Sequence, residues 1–183
     1  HVAVRRQRQM CIRDRNILAH YDLSNDFYKL WLDPTMTYSC AYFDNDSVSL
    51  EQASIEKIDR ICRKLKLKKG DNVLEIGTGW GALAMRAAQR GYTVTTITLS
   101  EEQFLFAKER FEKAGLSDMI KLQLQDYRDL EGQFDGIVSC EMIEAVGQNY
   151  LEGYFKTIKN NLSNNGSAAI QAITIDDNLF DRY

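Results

Sequence analysis

Residues 73–82 read Val-Leu-Glu-Ile-Gly-Thr-Gly-Trp-Gly-Ala, VLEIGTGWGA. Val73, Leu74 and Ile76 form a short apolar run between Gly70-Asp71 and Gly77, the pattern of a buried strand. Gly77, Gly79 and Gly81 then alternate, and residues 80–90 carry a helical period. Strand, glycine loop and helix occur in that order, which is more specific than an isolated glycine pattern. Glycine lets a backbone take positive φ and approach a ligand closely. The helix start offers N–H groups without intrahelical partners. In a doubly wound sheet such a loop sits at the carboxyl ends of strands, where ligands bind. The plainer alternative is an ordinary tight turn.

The flanking sequence supports that sheet. Downstream, YTVTTITL (92–99) is β-branched and reads as a strand, and SEEQFLFAKERFEKAG (100–115) reads as a helix ending near Gly115. MIKLQLQ (119–125) and FDGIVSC (134–140) are strands, NYLEGYFKTIKNNL (149–162) a helix, SNNG (163–166) a turn and SAAIQAITI (167–175) a fifth strand. This alternation predicts an α/β fold, a doubly wound, mostly parallel sheet with helices on both faces. Upstream, SNDFYKLWL (24–32) is a short helix capped by Ser24 and ended by Asp33-Pro34. The stretch from Ser49 to Leu67 is a longer helix with a Ser49/Gln52 capping box. Its apolar face carries Ile55, Ile58, Cys62 and Leu65. Three parts are expected: a non-native or disordered head (1–15), a helical cap over the site (16–69), and a Rossmann-like binding domain (70–183). The chain ends at Tyr183, soon after the fifth strand. That would leave a bare sheet edge, so the domain is expected to be incomplete at its C-terminus.

Bulk composition narrows the functional classes. The 183 residues are 44% apolar, enough for a core, and the mean hydropathy is −0.38. No run approaches the about 18 apolar residues of a membrane span, and the N-terminus lacks a secretory apolar region. A soluble cytoplasmic protein is the expectation. The four cysteines, Cys11, Cys40, Cys62 and Cys140, form no CxxC pair, and the two histidines are His1 and His20. No metal site, disulfide framework or Ser-His-Asp triad is expected. Residues 1–15 hold five arginines against Asp14, a charge of +4. The whole chain carries −3, leaving −7 on residues 16–183. An acidic body suits no nucleic-acid partner, whereas the basic head could attract anionic lipid.

Two cofactors compete for the loop. With Ala82 it fits GxGxxA, a permitted dinucleotide fingerprint, but that fingerprint wants an acid about twenty residues on. Ile97 and Thr98 stand there, and the first acids, Glu101 and Glu102, lie in the next helix. S-adenosylmethionine-dependent methyltransferases pair a GxGxG loop with an acid just before it, and Glu75 fits. A second informative stretch is MTYSCAYF (36–43), a thiol among aromatics just after Pro34, the chain's one proline.

HYDLSNDFYKLWLDPTMTYSCAYF (20–43), VLEIGTGWGALA (73–84), TITLSEEQ (96–103) and EMIEAVG (141–147) resemble the cyclopropane-fatty-acid synthase family, which includes mycolic acid cyclopropane synthases and related lipid methyltransferases. The resemblance runs from about residue 19 to residue 183. It implies a class I S-adenosylmethionine methyltransferase fold. It also implies methyl transfer to a cis double bond of an unsaturated lipid acyl chain through a carbocation. Bound bicarbonate then takes a proton as the ring closes to a cyclopropane. Relatives that divert the cation give methyl or methylene branches. The implied partners are an unsaturated phospholipid or other acyl lipid and a peripherally contacted membrane; a homodimer is compatible with it.

The same resemblance implies residue roles. Tyr38 and Ser39 would touch the cofactor, and Glu75, Gly77, Thr78, Gly79, Trp80 and Gly81 would surround its methionine part. Thr98, Leu99, Ser100 and Gln103 would reach the ribose, with Gln103 replacing the usual acid. Ser100 and Gln103 also form a capping-box pattern. Asp126, Tyr127 and Arg128 would flank the adenine, with Arg128 as a solvated loop charge the alternative. Tyr42 and Phe43 would line the cation. Cys40, Glu144 and Gln171 would be the catalytic set around bicarbonate, Cys40 without acting as a nucleophile; buried packing is the alternative for Cys40. Glu141 and Glu144, three apart, would share one face of a helical turn, with Glu144 the stronger candidate. Two departures from the family stand out. Ala145 and Gln171 occupy places where histidine is common. Glutamine donates a hydrogen bond but takes no proton near neutral pH, which raises the weight of simple methylation. A nucleic-acid methyltransferase would carry an Asn-Pro-Pro-Tyr-type or Pro-Cys motif after the fourth strand, and SCEM (139–142) has neither. A small-molecule methyltransferase would leave YSCAYF unexplained, and an inactive fragment of the lipid enzyme is the remaining class.

Overall fold

The computed structural model describes residues 24–180; the expectations for residues 1–15 lie outside the described residues. Five strands form one sheet: β1 (Asn72–Ile76), β2 (Thr93–Thr98), β3 (Ile120–Leu124), β4 (Phe134–Cys140) and β5 (Leu162–Gln171). Their spatial order is β3-β2-β1-β4-β5, and every pairing is parallel. The helices are α1 (Asn25–Lys29), α2 (Leu50–Leu65), α3 (Ala82–Gln89), α4 (Glu101–Lys113), α5 (Ile143–Val146), α6 (Leu151–Asn161) and α7 (Asp177–Phe180).

The alternation of a strand's side chains explains the two-layer cover. Val73, Val94 and Val138 face one side, where Ile58, Cys62 and Leu65 of α2, Leu83 and Ala87 of α3, and Ala107 and Phe111 of α4 close over them. Leu74, Ile76, Ile97 and Ile137 face the other side, covered by Val146 of α5 and Tyr154 and Ile158 of α6. A third cluster, Tyr28, Met36 and Trp80, joins the N-terminal segment to the glycine loop. Trp80 Nε1 donates to Asn25 Oδ1 at 2.7 Å, and its ring centroid lies 4.6 Å from that of Tyr28. Both expected caps are present: Ser24 Oγ accepts from Phe27 N, and Ser49 and Gln52 complete a capping box.

The C-terminal strand departs from expectation. Residues 163–166 are not a turn but lie within β5. The register jumps from Phe134↔Leu162 to Gly136↔Ser167, so the polar tetrad forms a bulge that Ser163 Oγ pins to Asp135 Oδ1 at 3.2 Å. The strand also stops at Gln171 rather than at residue 175, and Ile173 beyond it is exposed.

Candidate active site

The site starts at the end of β1. Glu75 points off the sheet into a fully enclosed position, 4% exposed, and Thr96 Oγ1 of β2 donates to its Oε2 at 2.6 Å. Thr78 Oγ1 lies 2.7 Å from Thr96 Oγ1, continuing the chain into the glycine loop. Burial pushes the Glu75 carboxyl up to about 8, with the Thr96 hydrogen bond and the Lys57 charge opposing weakly. Gly79 has φ +52°, and an added Cβ would meet no atom within 4 Å. It borders open space, a cavity of about 670 Å³, within the usual range of small-molecule sites. Gly81 differs: at φ +88° its Cβ would fall 2.6 Å from the Phe111 ring. Gly81 is therefore a packing glycine that seats α3 on α4, not part of the cavity wall as the sequence reading had it.

The other fourteen expected cofactor residues all line this cavity. On one wall Ser100 Oγ accepts from Gln103 N at 3.2 Å, capping α4. The Gln103 side chain does not return to the cap backbone but accepts from Thr98 Oγ1 at 3.1 Å. Its NH2 group is thus the face available to a ligand hydroxyl. Half of the capping box is therefore present, and both Ser100 and Gln103 line the cavity. After β3, Asp126 is buried and grips Arg128, whose Nε donates to Asp126 Oδ1 at 2.9 Å; Arg128 is thus ion-paired on one side while its side chain stays exposed, as the solvated-charge alternative has it. Tyr127 packs edge-on against Tyr154 with centroids 5.5 Å apart, leaving a ring in the cavity wall for a planar base.

Toward β4 the expected catalytic residues meet in part. Cys40 N and Gln171 Nε2 both donate to Glu141 Oε1 at 2.8 Å, and Gln171 Nε2 lies 3.0 Å from Cys40 Sγ. Cys40 is exposed, which removes the packing explanation. Partial burial and the Glu141 carboxylate raise its thiol above the ordinary range, so it stays protonated near neutral pH and is a poor nucleophile. Glu141, not Glu144, is the carboxylate brought to Cys40 and Gln171. Glu144 Oε1 instead accepts from Ile173 N at 2.5 Å. The two glutamates do not share a helical face, because Glu141 sits at φ +48° before α5 begins. Tyr42 and Phe43 also leave the expected place: Arg60 lies 4.4 Å over the Tyr42 ring, and Phe43 is half exposed.

Several wall residues escaped the sequence reading, Cys140 and Lys57 among them. Cys140 lines the cavity with its thiol pushed up to about 12 by burial. Lys57 of α2 is 7% exposed and donates from Nζ to Ser39 Oγ at 2.5 Å. It follows the buried Ala53 and Ser54 by four and three positions, which puts it on their side of the helix. The apolar spacing of Ile55, Ile58, Cys62 and Leu65 does not mark that position, and surface lysine is the ordinary expectation for a charged helix position.

The cavity's chemistry suits an amino-acid-bearing nucleoside: a positive and an acidic group at one region, hydroxyl and amide donors at another, and a half-buried tyrosine at a third. Comparison with known proteins agrees. The family model described as mycolic acid cyclopropane synthetase matches residues 8–181. Tuberculostearic acid methyltransferase UfaA1 of Mycobacterium tuberculosis is 46% identical over 168 residues, 88% of this chain and 39% of that protein. The cyclopropane-fatty-acyl-phospholipid synthase of Escherichia coli K12 is 46% identical over 155 residues, 84% of this chain and 39% of that one. The chain thus spans about two fifths of the length of these relatives. Among solved structures, the cyclopropane synthase MmaA2 of Mycobacterium tuberculosis superposes with a TM-score of 0.86 at 35% identity, covering 92% of this chain and 60% of that one. CmaA1 complexed with SAH and CTAB gives 0.82 at 35% identity, covering 86% and 55%. The five-stranded parallel sheet is that of the class I S-adenosylmethionine methyltransferases, and the chain belongs to the mycolic acid cyclopropane synthetase family.

Proposed function

We propose that this chain is the cofactor-binding core of a lipid methyltransferase that adds a methyl group to a cis double bond of an unsaturated acyl chain. The observation that carries the reading is one cavity with the glycine loop and Glu75 at its base and the Cys40–Glu141–Gln171 cluster beside it. Bound in that cavity, S-adenosylmethionine would supply an electrophilic methyl. Glu75 and the Gly77–Gly79 backbone would hold its methionine part, Gln103 its ribose, and Tyr127 its adenine. An alkene is a weak nucleophile, so the walls must orient it toward the methyl and exclude water from the cation that follows. Tyr38, which lines the cavity, offers a ring face that stabilises a cation without reacting with it.

Bicarbonate could use the same donors only if they turned to it from Glu141, on one of whose carboxylate oxygens Cys40 N–H and Gln171 Nε2 now converge; donors that hold a carboxylate suit another planar oxyanion. Were such an anion bound as the proton acceptor, the cation would lose a proton from its new methyl carbon to it, and the freed C–H electron pair would close a cyclopropane ring. A second outcome differs in where that electron pair goes. Gln171 cannot carry a proton in either case, and loss of one of the new methyl's protons with the electron pair left in a C=C bond, after a hydride shift, would give a methylene branch instead of a ring. The 46% identity to a tuberculostearic acid methyltransferase supports that alternative as much as the E. coli enzyme supports the ring.

Membrane contact is part of the proposal. Phe27, Leu30 and Trp31 on and just after α1 are exposed, Leu30 by 82%, and an apolar group of this kind suits a bilayer surface. No helix among the described residues is long and apolar enough to cross a membrane. The test is incubation with S-adenosylmethionine and vesicles of unsaturated phospholipid, followed by mass spectrometry and proton NMR of the acyl chains. The reading predicts gain of CH2. High-field ring protons identify the cyclopropane, and vinylidene protons identify the branch. Unmodified chains, with cofactor bound, would contradict it.

A further inference from the structure

Lys57 is a buried cation bonded to a neutral hydroxyl rather than to a carboxylate. It is 93% shielded within α2, lines the cavity, and bonds the neutral hydroxyl of Ser39. Among the described residues no carboxylate reaches ion-pair distance of its Nζ. An ammonium group removed from water without a counter-charge is costly to the fold. Such groups are retained where a ligand supplies the missing charge. Glu75 lines the same cavity, close enough to be influenced by the Lys57 charge but not paired with it. An acid and an ammonium that face one space without touching complement a zwitterion, the α-amino carboxylate of an amino acid.

We propose that Lys57, with Ser39, binds the methionine carboxylate of S-adenosylmethionine, while Glu75 receives the α-ammonium. This rests on the cofactor reading above and adds to it the residue that recognises the carboxylate. Bicarbonate is the other carboxylate-like anion available, since the Lys57 charge is also felt at Cys40. The presence of Glu75 in the same wall favours the zwitterion, because bicarbonate has no cationic part for it to meet.

The experiment measures binding of S-adenosylmethionine and of decarboxylated S-adenosylmethionine to the wild-type chain, Lys57→Met and Lys57→Arg, with the unliganded melting temperature of each. Methionine fills the lysine stem's volume without charge. Wild type should prefer the carboxylated ligand about ten- to a hundredfold, the loss expected for one charged hydrogen-bonded contact. Lys57→Met should lose that preference, bind the decarboxylated ligand as wild type does, and melt no lower than wild type. Lys57→Arg should keep most of the preference. Equal affinity of wild type for the two ligands overturns the proposal without recourse to any variant. It is also overturned if Lys57→Met keeps the preference, or if it weakens both ligands equally and melts lower, the mark of a structural lysine. A Lys57→Met protein that binds both ligands as wild type does but loses its response to added bicarbonate would assign Lys57 to bicarbonate instead. A folded wild type that binds neither ligand contradicts the cofactor reading itself.

Discussion

A carboxyl as deeply enclosed as Glu75, with a threonine hydroxyl as its hydrogen-bond partner, keeps its proton near neutral pH unless a cation such as a bound ammonium beside it favours the carboxylate. In the unfolded chain it ionises near the ordinary glutamate value, 4.5, and in the folded chain near about 8. Between those values the folded state holds a proton that the unfolded state has released, so stability falls as pH rises across that window. Glu75→Gln should flatten the decline and exceed wild type by up to a few kcal/mol at pH 8. Urea unfolding at several pH values checks this, and an unchanged pH profile would refute it. The loop glycines separate binding from packing in the same way. Gly81→Ala drives a Cβ to 2.6 Å from Phe111 at φ +88° and should cost about 2 kcal/mol or more. Gly79→Ala pays about 1–2 kcal/mol for its left-handed backbone but meets no atom. Its larger effect should be weaker cofactor binding. Thermal melts beside binding titrations of the two variants distinguish the cases.

At the scale of elements, long periodic segments were legible because their burial follows a strand or helix period. β1 through β4, α2 and α4 lie where apolar spacing and caps put them. The tetrad 163–166 was misread because Ser-Asn-Asn-Gly has turn composition, whereas pairing with β4 on both sides holds it in the strand as a bulge. Glu141 was ranked below Glu144 because three-residue spacing implies a shared face only inside a helix, and Glu141 precedes one in a left-handed conformation. Lys57 was passed over because no one-dimensional pattern marks a buried cation. The short helix α1 depends on Trp80, whose Nε1 bonds Asn25 and whose ring packs on Tyr28. Trp80→Phe keeps a ring but removes that donor. It should cost about 1 kcal/mol and speed amide exchange of residues 25–32 relative to the sheet. Equal protection in both proteins would show that α1 is held by other contacts.

For the whole molecule, the strand order places the cavity where ligands collect in open α/β sheets. β1 leads outward to β2 and β3 on one side, and β4 and β5 continue on the other, so the chain reverses direction of growth beside the glycine loop. Segments distant in sequence meet there: the aromatic stretch near Tyr38, α2 through Lys57, the loop after β1, the start of α4, the turn after β3 and the end of β4. That assembly, more than any single motif, separates a cofactor site from a tight turn. Occupation of this cavity by S-adenosylmethionine is what the proposed function requires. Calorimetric titration of the folded chain tests it most directly, with Gly79→Arg, which projects a long side chain into the open space beside the loop, as the control. The account predicts saturable binding at one site by wild type and its loss in a variant that remains folded by circular dichroism. Absence of binding by folded wild type, or undiminished binding by Gly79→Arg, would contradict it.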